Sequence, residues 1–196
     1  LSDVTGADLG AATHTVTIRD DDAAAAQPVW DNVRLVEGFD TPGPLPVTPD
    51  GVTAGYEFFA DPTATVSGAA EVPPAPVPGK AADDTALRVT MQAPSFAGVT
   101  QKLGEPGGTW APQDWSRYDG LSFWFYGSNS GRSLFVDLLD NRNPGSTTDD
   151  AERHSVVFTD DTVGWTYVEL PFSTFTRKEI GNGAPNDGLN LTAVHG

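Results

Sequence analysis

The sequence predicts an all-β protein, a jelly-roll β-sandwich, on three observations. Short stretches of alternating apolar and polar residues recur from Ala86 onward. Clusters of Gly, Asn, Asp and Ser separate them, as at 127–131 and 141–146. The chain also carries 21 glycines and 16 prolines in 196 residues, punctuation too frequent for long helices.

The elements follow in order. Thr15, Thr17 and Arg19 alternate with Val16 and Ile18, a period-two strand that runs into three aspartates at 20–22. Residues 23–28 are small and featureless, which predicts a linker. Val29-Trp-Asp-Asn-Val-Arg-Leu-Val36 predicts a strand with Val29, Asp31, Val33 and Leu35 on one side. Four prolines between Thr41 and Gly51 predict a loop, and 70–78 is a second proline-rich loop. Strands are then predicted at 86–91, 120–126, 133–139, 154–158 and 165–170, each short, alternating and bounded by turn residues.

Composition narrows the function. The formal net charge of -16 leaves no basic patch to displace counterions from a phosphate backbone, which excludes a nucleic-acid partner. No apolar run approaches the ~18 residues of a membrane span, so no membrane partner is expected. Cysteine is absent, which removes thiol chemistry and thiolate metal sites without excluding export. The chain opens on Leu1 with no signal peptide, and the expectation is a segment whose targeting sequence lay upstream.

Two resemblances add to this. The segment from Asp8 to Asp22 resembles the closing strand of a Calx-β domain, so 1–22 is expected to be the tail of a preceding module. Asp114-Trp-Ser-Arg-Tyr-Asp-Gly-Leu-Ser-Phe123, Asp149-Asp-Ala-Glu152 and Gly164-Trp-Thr-Tyr-Val-Glu-Leu-Pro-Phe-Ser-Thr-Phe175 resemble family 11 carbohydrate-binding modules. That likeness runs from about Val29 to Gly196, giving a module at 29–196. It implies a jelly roll with bound calcium and a concave face that grips β-glucan chains. In the family an apolar-Asp-Asn-apolar-basic-Leu closing strand stands at the C-terminus, whereas here that pattern is at 29–35. The module is therefore either circularly permuted, with 29–35 completing its own sheet, or 29–35 closes a preceding repeat and this module lacks its own last strands, an open edge that invites a closing strand swapped from another copy.

The resemblance implies a structural Ca2+ near Asp31, Glu37 and Asp40, in keeping with calcium's preference for hard oxygen ligands. Sugar rings present flat C–H faces, so binding platforms use exposed aromatics, with carboxylates and basic groups for the hydroxyls. Alternation in 120–126 puts Leu121, Phe123 and Phe125 on one side and Trp124 and Tyr126 on the other, which makes the latter two candidates. Phe96, Asp150 and Lys178 match family contact positions, while two further contact positions fall on Ile180 and Gly181. Trp110, Asp137, Arg142 and Arg177 complete the candidate set; Trp115 and Trp165 are expected to be structural.

Asp137, Asp140, Asp149, Asp150 and Glu152 offer carboxylate pairs of the kind a glycosidase needs. Their setting is equally an oxygen-rich binding loop, and no nucleophile, phosphate-loop or zinc motif is present. The expected role is a non-catalytic carbohydrate-binding module, secreted and bacterial. It would hold a glycoside hydrolase in the same polypeptide to a β-1,3/1,4-glucan or a decorated glucan such as xanthan. The rival is a calcium-stabilised structural or adhesion module of a surface protein.

Overall fold

The structure, a computed structural model, describes residues 33–105, 107–140 and 149–196. The tail at 1–22, the linker at 23–28, Asp31 and Arg142 lie outside the described residues. Ten strands run through the described chain: β1 (Gly43–Pro44), β2 (Gly55–Ala60), β3 (Thr65–Glu71), β4 (Ala86–Gln92), β5 (Ala97–Lys102), β6 (Gly120–Ser128), β7 (Ser133–Asp140), β8 (Glu152–Thr159), β9 (Val163–Pro171) and β10 (Thr176–Arg177). Among the described residues the helical content is one short turn, Phe172–Thr174.

Every ladder is antiparallel. The sheets are β1-β3-β4, β6-β9, β2-β5 and β10-β8-β7. They stack in two layers because each strand has one apolar side to bury. Phe123 and Phe125 of β6 meet Phe158 of β8 with ring centroids 5.7 and 5.1 Å apart. Gly68 of β3 lies under the Phe58 ring of β2, so close that a Cβ there would fall 3.1 Å from Phe58 Cζ. The first two sheets thus lie over the last two. Between them Leu103, Trp115, Leu138, Leu170, Phe172, Phe175 and Val194 form the buried core.

All five strands predicted from alternation after residue 85 are present, each within two residues of its predicted ends. Strands β2, β3, β5 and β10 are additional, and β1 lies inside the expected proline-rich loop. Strand β3 reads Thr-Val-Ser-Gly-Ala-Ala-Glu, too poor in large apolar groups for its alternation to stand out. The strand predicted at 29–36 is corrected over its described part. Residues 33–36 form no strand, and Val33 and Leu35 are 62% and 72% exposed. The chain turns sharply just beyond, where Glu37 Oε1 accepts from the Gly38 and Phe39 amides and Phe39 adopts φ 56°.

Residues 194–196 join the second layer into one surface. Val194, fully buried, exchanges backbone bonds with Gln113 at 2.7 and 3.1 Å. The Leu103 amide then donates to His195 O at 2.7 Å, and the His195 amide to Leu139 O at 2.9 Å. The His195 ring is buried against Trp110, centroids 4.8 Å apart. Burial, which disfavours the imidazolium, pulls its pKa from 6.5 down to about 4. The unfolded chain then takes up a proton that the fold refuses. Stability is full above pH ~6.5 and falls as the pH drops from there towards 4. Urea titrations between pH 7.5 and 4 should show this fall, and His195→Phe should flatten it. An unchanged slope in the variant would assign the acid sensitivity to other groups.

Candidate functional site

Alternation gives each layer one face turned away from the core, and these two faces divide the candidate residues between them. On the outer face of β6-β9 lie Ser122, Trp124 and Tyr126, across from Tyr167 and Trp165. Trp124 packs on Tyr167 at 5.0 Å and Tyr126 on Trp165 at 5.1 Å. Tyr167 Oη donates to Ser122 Oγ at 2.7 Å, and Trp165 Nε1 to Ala75 O at 2.9 Å. The proline-rich loop around Ala75 therefore closes over one end of this aromatic cluster, and its rings spend much of their surface on one another.

The open face of the second layer is built differently. In β7, Val136 and Leu138 point into the core, so Phe135 and Asp137 point out. Their partners across the ladder are Val157 and Ser155 of β8. Phe135 is 62% exposed. Beyond β8, the short strand β10 delivers Lys178 to the same side, its amide donating to Arg153 O at 2.8 Å. Lys178 Nζ stands 5.1 Å from the Phe135 ring centroid and donates to Asp137 Oδ2 at 2.8 Å. Asp137 Oδ1 accepts from Ser155 Oγ at 2.5 Å. The result is a solvent-facing ring with an ammonium over one face and a carboxylate and a hydroxyl beside it.

Strand β2 extends this face. Phe58 is turned inward onto β3, so Phe59 is turned outward, and it is 39% exposed. Its ring lies across Gly98 of β5, where a Cβ would come 2.5 Å from Phe59 Cζ. Glycine at that position allows the ring to lie flat on the sheet. Phe96, at the mouth of β5, is 55% exposed.

The structure thus brings together Asp137 and Lys178 of the predicted set, and places Phe96 at the margin of their layer. It puts Trp124 and Tyr126 on the opposite layer. Two candidates are corrected. Trp110 is 3% exposed and belongs to the interior, held between the 52–54 segment and His195 rather than offered to a ligand. Arg177 is turned inward as well: its Nε sits 2.9 Å from Glu152 Oε1, a carboxylate with no exposed surface. The two charges touch, yet the N–H is not aligned on the oxygen, and neither Glu152 oxygen accepts a hydrogen bond. The contact is Coulombic. Asp150 is half-buried beside β8.

Phe135, Phe59 and Ser155 are the residues that sequence reasoning left out. Phe135 was within reach, since Leu134, Val136 and Leu138 share one side of β7 and leave Phe135 with Asp137. Phe59 and Ser155 needed the pairing of β2 with β5 and of β7 with β8.

Of the acidic residues weighed for hydrolysis, Asp140 and Glu152 face each other across the ladder in the interior, out of reach of a polymer. Asp149 pairs with Arg153 at 2.5 Å. Of the expected calcium ligands, Glu37 has its oxygens engaged by protein donors, Oε1 as above and Oε2 by Tyr56 Oη at 2.9 Å and Gln101 Nε2 at 3.3 Å. Asp40 is exposed. Among the described residues no three His, Asp or Glu side chains converge on one point.

A β-sandwich that offers an exposed aromatic ring with hydrogen-bonding groups close around it has the build of a sugar-binding module. The profile of the carbohydrate binding domain of family 11 matches residues 34–192, and the chain belongs to that family. It is a non-catalytic module that binds carbohydrate. No curated protein and no solved structure matches the chain.

Proposed function

We propose that the open face of the second layer grips a β-glucan-type chain and so holds a glycoside hydrolase of the same polypeptide against its substrate. The observation that carries this is the exposed Phe135 ring, with Lys178 over one face and Asp137 and Ser155 beside it, which leaves the other face for a sugar. A pyranose can lay its C–H face on the ring and direct its hydroxyls to those groups. Tethering raises the effective concentration of polymer at the attached enzyme without adding catalytic contacts. A polymer of this kind lies outside the cell, and a secreted, bacterial setting goes with it.

Charge favours a neutral glucan over an anionic one such as xanthan. The net charge is -16, and Arg153, Arg177 and Lys178 are each neutralised by a carboxylate. Affinity gels with a panel of neutral and anionic glucans test the reading. A β-1,3/1,4-glucan is expected to retard the protein most, and retardation by none of the panel would end the proposal.

A structural calcium stays in the proposal on the resemblance and the acidic composition, with Asp31, Glu37 and Asp40 as oxygen donors. Thermal unfolding with calcium and with EDTA checks it. A bound ion should raise Tm by several degrees at millimolar calcium, as ligand binding to the native state requires. Identical curves would remove calcium from the reading.

A further inference from the structure

We propose that Asp137 sets the charge specificity of the platform: acting through Lys178, it makes the site accept neutral sugar chains and turn away carboxylate-bearing ones. The inference rests on the platform reading above and assigns a role within it. Strand β8 lies between β7 and β10. Lys178, whose amide is bonded to Arg153 of β8, therefore sends its side chain across β8 to reach β7. Its Nζ donates to Asp137 Oδ2 at 2.8 Å and stands 5.1 Å from the Phe135 ring centroid. The carboxylate is itself fixed, since its other oxygen accepts from Ser155 Oγ at 2.5 Å. Within the ion pair the Asp137 side chain is 16% exposed and that of Lys178 37%, so the ammonium is the more open to an arriving sugar.

The pairing does two things. A lysine side chain is among the richest in rotamers, and here one conformation is held by Asp137 and the ring before any ligand arrives. One of its three N–H donors is spent on the carboxylate, which leaves donors for sugar hydroxyls. Asp137 also cancels the charge. A hydroxyl can accept from the ammonium and donate to the carboxylate, so a neutral sugar finds both partners. A carboxylate on the sugar chain is attracted by Lys178 and repelled by Asp137 from nearly the same distance, so its net gain is small. Specificity of this kind comes from the repulsive partner as much as from the attractive one. The neighbouring cations are occupied in the same way, Arg153 by Asp149 and Arg177 by Glu152 and Glu179. Removing the Asp137 charge would therefore release a cation on the open face at Lys178.

A neutral β-1,3/1,4-glucan and the carboxymethylated form of the same polymer test the assignment. Each is titrated into the wild type, Asp137→Asn, Lys178→Met and the double variant. Asparagine keeps the size and an acceptor oxygen while losing the charge, so the fold is retained, which circular dichroism checks. Asp137→Asn should bind the carboxymethylated glucan about fivefold more tightly than the wild type at low salt, and the gain should vanish at high salt. Its affinity for the neutral glucan should fall about two- to fivefold, the worth of an exposed ion pair. Adding Lys178→Met should abolish the gain, because the cation that Asp137 had masked is gone.

A readout without sugar tests the positioning. The Lys178 Hε protons, held over the Phe135 ring, should resonate upfield in the wild type and return towards the ordinary lysine position in Asp137→Ala. Ser155→Thr, which keeps the hydroxyl, should leave them in place. A gain that survives Lys178→Met would overturn the proposal, as would lysine resonances indifferent to Asp137→Ala. A wild type that binds neither polymer would end the platform reading and this proposal with it. A wild type that binds the neutral glucan, with the same preference between the polymers in Asp137→Asn, would end this proposal alone.

Discussion

Replacing Arg177 by Met is expected to cost about 3–5 kcal/mol of folding stability, the usual penalty for stranding one partner of a buried ion pair. Glu152 has no exposed surface, its carboxylate accepts no hydrogen bond, and Arg177 Nε at 2.9 Å is the cation beside it. His154 Nε2 lies farther off, at 4.0 Å. With the guanidinium gone, the Glu152 carboxylate loses its countercharge in a poorly polarisable interior, and the fold weakens. Arg177 also ties Glu179 and the Pro185 carbonyl at 3.2 and 3.3 Å, so the loop after β10 loosens with it. Urea unfolding of Arg177→Met, Glu152→Leu and the double variant measures the effect. The double variant should regain most of the loss, because an apolar pair of similar volume carries no desolvation cost. Glucan affinity of the folded fraction should change little. A stable Arg177→Met protein with lost affinity would return Arg177 to the sugar site.

Phe135→Ala should do the opposite: an affinity loss of about ten- to thirty-fold, roughly 1.4–2 kcal/mol, with Tm almost unchanged. The ring is 62% exposed and contributes little to the core, yet it is the flat surface on which a sugar would stack. Titration calorimetry of Phe135→Ala and Trp124→Ala against the tightest glucan separates the two faces. Trp124→Ala is expected to lower Tm, because its ring packs on Tyr167 at 5.0 Å, and to leave affinity alone. If Trp124→Ala abolishes binding and Phe135→Ala does not, the site lies on the outer face of β6-β9.

The β-sandwich was legible in the chain because its long strands alternate cleanly. Leu121, Phe123 and Phe125 announce the buried side of β6 without any knowledge of the partner strand, and the family likeness lies on the same stretch. Strand β3, rich in Ala and Gly, shows no such contrast; it is a strand because β1 and β4 bond to it on either side. The strongly acidic net charge of -16 could likewise be read without any structure, since charge is a sum that needs no geometry.

The site needed the tertiary structure. A sequence lists Trp110, Arg177, Trp124 and Lys178 as equals, all polar-tipped or cationic and all suited to a sugar. Which of them reaches solvent depends on which layer covers them. Trp110 is sealed by His195 from the far end of the chain, and Arg177 is drawn inward by Glu152 across two strands. Asp137, Ser155 and Lys178 converge only when β7, β8 and β10 line up in register.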